Sequence, residues 1–239
     1  MLKIENLSKS FGSFKAVDNI SLNIEAGDLY GFLGPNGAGK TTTIKIITGL
    51  YSATSGKVFI DGIDISENHI EAKKRIGYIP DQPFIYEKLT GKEFLYFSGG
   101  LYQIPKEKLT KKIEELVDTL NIGEWINKRT EEYSQGMRQR ITIASALLHQ
   151  PRLIVVDEPM VGLDPQSAHI IKNLFKKLTD EGTAIFMSTH SLNVVEEICS
   201  KVAIIHKGQI IFNDEIDKLY ELREDMDGNI EQIFIQLTN

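Results

Sequence analysis

The chain has 239 residues, 41% of them hydrophobic and 25% charged, which suits one sizeable soluble α/β domain or two small ones. Its formal net charge of −6 offers no general attraction for nucleic acid, and no run approaches 18 consecutive apolar residues, so no segment is expected to span a membrane. The single cysteine, Cys199, cannot close an internal disulfide, and the acidic, alternating start Met1-Leu2-Lys3-Ile4-Glu5 does not read as a signal peptide; both fit a reducing cytosol.

The first sixty residues are expected to be rich in strands. Short apolar or alternating runs lie at 2–7, 20–24, 29–33 and 57–60, punctuated by Gly12, Gly27 and Asp61-Gly62. After the third run, Gly34-Pro35-Asn36-Gly37-Ala38-Gly39-Lys40-Thr41 satisfies GxxxxGK[ST], and a helix-like run, 41–49, follows it. In that setting the glycines let successive N–H groups point inward at an anion. The start of the next helix adds its partial positive charge. Lys40 is expected to reach the β- and γ-phosphates of a nucleotide and the Thr41 hydroxyl to ligate magnesium, with Thr42 in the same phosphate-binding set.

A short strand at 75–79 comes next. From about 87 to 148 the apolar residues fall at helical spacing, with one stripe at Ile113, Leu116, Val117 and Leu120 and another at Ile141, Ala144, Ser145 and Leu148. This stretch reads as a helical insertion, and Pro105 suits the start of its first striped helix. The lysines at 106, 108, 111 and 112 alternate with glutamates and read as a solvated helix face.

After Pro151 strands are predicted at 153–156, 183–188, 202–206 and 210–212, with helices at 168–178 and 193–200. Alternating strands and helices imply a mainly parallel sheet with its ligand at the strand carboxyl ends. The tail, 216–239, reads as a short cap. The strand at 153–156 runs into Asp157-Glu158, at the edge where the phosphate loop also opens. Asp157 can hold magnesium through a water, and Glu158 can polarise the water that attacks a γ-phosphate. Ser188-Thr189-His190 reaches the same edge, which makes His190 the candidate γ-phosphate contact. His69, His149, His169 and His206 have no such setting and are expected at surface or boundary positions.

The order of these motifs, from about 2 to 214, resembles the ATP-binding cassette ATPases, the motor subunits of ABC transporters. The resemblance implies a P-loop NTPase within a single domain, 1–239: an α/β fold with a mainly parallel sheet core, an antiparallel β subdomain at its N-terminal side and the helical subdomain inserted. It places Tyr133-Ser134-Gln135-Gly136-Met137 where the family carries a signature of the LSGGQ type. Ser134, Gln135 and Gly136 would then contact the nucleotide bound by the other subunit. Gly162-Leu163-Asp164-Pro165 looks like the D-loop, which puts Asp164 at the dimer interface. Phe11 sits where the family stacks an aromatic ring on adenine, with Phe14 as the fallback. Gly77-Tyr78-Ile79-Pro80 leads into the Q-loop, where Asp81 aligns with the usual glutamine and Gln82 stands one place on; Asp81 is expected beside the magnesium.

The implied activity is ATP hydrolysis with Mg2+, in a homo- or heterodimer of ATP-binding subunits that powers a separate transmembrane permease. The implied place is the cytoplasm, at the inner face of the membrane through the permease, with no nucleic-acid partner. The segment Pro83-Phe84-Ile85-Tyr86 is expected to be at least partly exposed as a permease contact. The departures at the Q-loop and signature, with Ile230-Glu231-Gln232-Ile233-Phe234 near the end, resemble the ABC-2 type, whose members mostly export drugs, antibiotics, peptides, lipids or ions. A rival is a soluble ABC ATPase acting on the ribosome or DNA, which a single cassette without sustained heptads disfavours. A non-hydrolysing scaffold is disfavoured by Lys40, Asp157, Glu158 and His190.

Overall fold

The alternating start of the chain becomes two long strands, β1 (Leu2–Phe11) and β2 (Phe14–Ile24), joined by a tight turn at Gly12 in the computed structural model, which describes residues 1–225. Both outrun the apolar stretches that predict them, because backbone pairing continues where the side chains turn polar. Lys9 faces Val17, Ser10 faces Lys15 and Phe11 faces Phe14, across several register shifts.

β3 (Leu29–Leu33), the phosphate loop and α1 (Lys40–Ile47) follow, then β4 (Ser55–Ile60), β5 (Ile63–Asp64), α2 (His69–Lys73) and β6 (Ile76–Ile79). β5 and α2, of two and five residues, are too short to show a period and are not foreseen in the sequence. Asn68 nonetheless caps α2 by accepting from the Glu71 N–H. The helical insertion is α3 (Gly91–Leu101), α4 (Lys106–Thr119) and α5 (Gln135–Leu147). The alternating part resumes with β7 (Leu153–Asp157), α6 (Pro165–Asp180), β8 (Ala184–Thr189), α7 (Leu192–Ile198), β9 (Lys201–His206), β10 (Gln209–Glu215) and α8 (Ile216–Asp225). The rest of the predicted cap, 226–239, with the Ile230–Phe234 pattern, lies outside the described residues.

Two sheets form. An antiparallel one has the order β2-β1-β4-β5 and a six-stranded one the order β10-β9-β3-β8-β7-β6, parallel except for β10 against β9. The central strands are apolar on both faces because both faces are covered. Tyr30, Phe32, Val155 and Phe186 join the core under the antiparallel sheet and α1. Leu33, Ile154, Val156, Ile185 and Met187 join the core under α6, α7 and the helical insertion. Each such side chain contributes about 1.5–3 kcal/mol by burial, and the period of two sends neighbours to opposite cores.

The insertion departs between β6 and β7, which are neighbours in the sheet. Thr90 and Glu93 cap α3 reciprocally, a device worth about 1 kcal/mol. Pro105 stands at the N-cap of α4, and Leu109, Ile113, Leu116 and Leu120 are buried against Ile141 and Ala144. Lys106, Lys108 and Lys111 are exposed, as a solvated face requires, whereas Lys112 is half-buried and paired with Glu115. Tyr133 anchors the approach to α5: its hydroxyl donates to the Trp125 carbonyl at 3.1 Å and its ring stands edge-on to Trp125.

Candidate active site

The carboxyl ends of β3, β7 and β8 lie side by side, so three motifs far apart in sequence meet at one edge. The phosphate loop is clamped there by backbone bonds. The Gly34 N–H donates to the Thr189 carbonyl at 3.2 Å, and the Gly208 N–H donates to the Ala38 carbonyl at 2.9 Å. Gly39 has φ +112°, and a Cβ on it would come within 2.5 Å of the Ala16 carbonyl oxygen, so only glycine fits.

Lys40 leads α1 with its side chain folded back over the loop. Its Nζ donates to the Gly34 carbonyl at 2.7 Å and the Pro35 carbonyl at 3.2 Å, and stands 3.5 Å from Glu158 Oε1. Glu158 Oε1 also lies 3.0 Å from His190 Nδ1, and the His190 backbone N–H donates to Oε2. The structure therefore links Lys40, Glu158 and His190 in one chain of contacts. With Nδ1 engaged by the carboxylate, His190 Nε2 is a donor only in the imidazolium form.

Glu158 sits in the left-handed region, φ +49°, a conformation that costs a non-glycine residue about 1–3 kcal/mol. Its own N–H holds it there by donating to the Ser188 carbonyl at 3.1 Å. Ser188 Oγ donates to Asp157, which is almost fully buried. No sequence motif marks Ser188 for this role. The available signal is a hydroxyl within a fully buried strand, where a polar group needs a partner.

A cleft of about 310 Å3 opens over Lys40, Asp157 and Glu158, with His190 behind Glu158 and off its lining. Pro35, Asn36, Gly37, Gly39, Lys40, Thr41 and Thr42 line it from the loop, and Asp81, Asp157 and Glu158 line it from the facing side. Gln82 is not on the lining. Phe14 and Ala16 close the hairpin side. Phe11, the expected stacking ring, lies outside the lining, edge-on to Tyr51 and beneath the Lys9 ammonium. Its neighbour across the turn, Phe14, is the ring that the structure puts on the cleft.

Partial burial, then the charges of Asp157 and Glu158, push the Asp81 carboxyl above its usual range, with His190 opposing. The Tyr78 phenol beneath is pushed up to about 12 by burial and by Asp157 and Asp81. Among the described residues no three His, Cys, Asp or Glu side chains gather closely enough to hold an ion by themselves. The donors present, the Thr41 hydroxyl and the Asp157 and Asp81 carboxylates, are hard oxygens, and their mutual repulsion favours a divalent cation. That set fits Mg2+ completed by water and phosphate oxygens.

Ser134, Gln135, Gly136 and Asp164 do not line this cleft. They gather at the start of α5, where Ser134 caps the helix by accepting from the Met137 N–H and Gly136 packs on Ser167 and Asp164. Asp164 caps α6, and the Ser167 hydroxyl and N–H hold its carboxyl below the usual range. Of the four other histidines, two depart from a surface position: both ring nitrogens of His206 are buried, and so is Nδ1 of His149. His149 stacks on Tyr102 at 3.9 Å and contacts the Ile76 carbonyl through Nε2.

On the far side of Asp81 the chain leaves Phe84 79% and Tyr86 47% exposed, with Ile85 between them buried. Tyr86 is edge-on to Phe97, itself exposed on α3, and Phe84 borders a groove of about 370 Å3 between Tyr78 and α5.

A family model described as "ABC transporter" matches residues 17–161. The ABC transporter ATP-binding protein NatA of Bacillus subtilis (strain 168) is 37% identical over 216 residues, 90% of this chain and 88% of that protein. The bacitracin transport ATP-binding protein BcrA of Bacillus licheniformis is 39% identical over 220 residues, 92% of this chain and 71% of that protein. A dimeric ATP-binding cassette solved in a post-hydrolysis state with ADP and Pi superposes with a TM-score of 0.82 at 27% identity, covering 90% of this chain and 99% of that one.

Proposed function

The chain belongs to the ABC transporter family of ATP-binding proteins, Mg2+-dependent ATPases, and from that premise we propose that it dimerises around two ATP molecules and drives a separate permease of the ABC-2 exporter type. The observation that carries the transport half of this reading is the exposed aromatic patch of Phe84, Tyr86 and Phe97 beside Asp81. An apolar surface adjoining the catalytic edge is where a membrane partner can sense the nucleotide. Relatives named for bacitracin transport and linearmycin resistance support export as its direction. No helix among the described residues is long and apolar enough to cross a membrane, so the chain's place at the inner face of the membrane would come from its permease.

Chemically, the loop amides and Lys40 bind and orient the terminal phosphates, and Glu158 accepts the proton of the attacking water. His190 fixes that carboxylate through Nδ1. Thr41, Asp157 and Asp81 would hold Mg2+, which when bound neutralises charge developing on the phosphates. Phe14, at the hairpin tip, supplies the base platform. Ser134, Gln135 and Gly136 present the start of α5 to the partner's nucleotide, a helix N-terminus offered to an anion.

The double substitution of Phe84 and Tyr86 with Ser tests the permease contact. Transport by cells expressing the complex is expected to fall by about tenfold or more, as for lost aromatic anchors, while basal hydrolysis by the purified subunit stays near wild type. Loss of both activities, with a lowered melting temperature, would assign these rings to folding instead. A titration of turnover against Mg2+ tests the Q-loop. Asp81→Asn should raise the half-maximal concentration by about tenfold, and Gln82→Ala should leave it nearly unchanged. The opposite pattern would mean that the loop is shifted by one residue.

A further inference from the structure

We propose that Gln135 is a positioning residue that ties the start of α5 to the loop carrying Glu158 of the same subunit. The Gln135 Nε2 donates to the Val161 carbonyl at 2.9 Å, across 26 residues of sequence. Val161 in turn donates its N–H to the Glu158 carbonyl at 3.3 Å. Glu158 is thus held from β8 on one side by Ser188 and from α5 on the other through Val161.

The loop is shaped around this contact. Gly162 has φ +70°, and a Cβ there would come within 2.5 Å of Gln135 Nε2 and 2.6 Å of Oε1. Glycine therefore leaves the amide its place as well as allowing the backbone turn. The position is one where the LSGGQ pattern has glycine, which has no side chain to reach Val161. Gln135 gives this chain a contact that the commoner signature lacks.

The consequence rests on the reading above, in which the start of α5 meets the partner's nucleotide. An α5 drawn toward that nucleotide would carry Val161 with it and set the angle of Glu158 in its own site. Gln135 would then make hydrolysis in one site depend on occupancy of the other, through a bond worth about a three- to tenfold change in rate.

A double-mutant cycle on kcat and KM tests this, using Gln135→Ala, Gly162→Ala and the pair. Gln135→Ala removes the donor, and Gly162→Ala pushes the amide off Val161 while adding backbone strain. Each single variant is expected to lower kcat about three- to tenfold with KM for ATP nearly unchanged. The pair should be no slower than Gly162→Ala alone, because the second substitution has no bond left to break. Effects that multiply overturn the proposal. So does a Gln135→Ala variant with raised KM and normal kcat, which would place the amide on nucleotide instead. Light scattering of Glu158→Gln with ATP and Gln135 intact separates the two readings. Absence of a dimer there overturns the functional reading and the inter-site role together, whereas a dimer with a multiplicative cycle overturns the Gln135 tie alone.

Discussion

Glu158→Gln is expected to lower steady-state ATP hydrolysis by about a hundredfold to ten-thousandfold, the usual cost of removing a general base, while ATP still binds. The substitution keeps size and shape in a position held by the Ser188 carbonyl behind it and by Lys40 and His190 in front. An amide oxygen can still accept from the His190 N–H, but it cannot take a proton from water at neutral pH. One negative charge is also removed from the cleft that holds Asp81 and Asp157, so phosphates are repelled less. A dimer trapped around uncleaved ATP is the expected product. Phosphate release and light scattering in the presence of ATP check the two halves. Hydrolysis within a few-fold of wild type would take Glu158 out of the role of base.

Lys40→Ala is expected to reduce turnover by about a hundredfold to a thousandfold, the scale for losing an electrostatic contact to the reacting group. The ammonium is buried, bonded to two loop carbonyls and close to Glu158. Without it those acceptors face the incoming phosphates with no cation between them, and charge-assisted contacts are the strong ones. Nucleotide affinity measured by titration calorimetry should fall together with rate. The fold should persist, because the loop is also clamped by backbone bonds to Thr189 and Gly208, and a cooperative melt would verify this. Normal affinity and normal turnover in a folded variant would show that Lys40 does not face the phosphates.

Where chemistry is written in adjacent residues, the sequence alone determined the outcome. Eight consecutive residues carry the phosphate loop, and two consecutive carboxylates end a strand whose apolar run already marks it as central. The continuous apolar runs of the central strands, and the helical spacing of the stripes at 113–120 and 141–148, determined the α/β core and its helical insertion, because side-chain direction is local geometry. Tertiary structure alone decided what depends on distant backbones meeting. Ser188 reaches Asp157 across 31 residues and Gln135 reaches Val161 across 26, and neither spacing is visible in any local pattern. The run at 84–86 is ambiguous in sequence, since apolar residues suit a core and an interface equally. Only the packing of Ile85 inward turned Phe84 and Tyr86 to the surface. The resemblance favours Phe11 over Phe14 as the ring beside the base, yet across the turn at Gly12 it is Phe14 that lines the cleft. Such choices follow from which surfaces the fold covers, a property of the whole chain that no window of it contains.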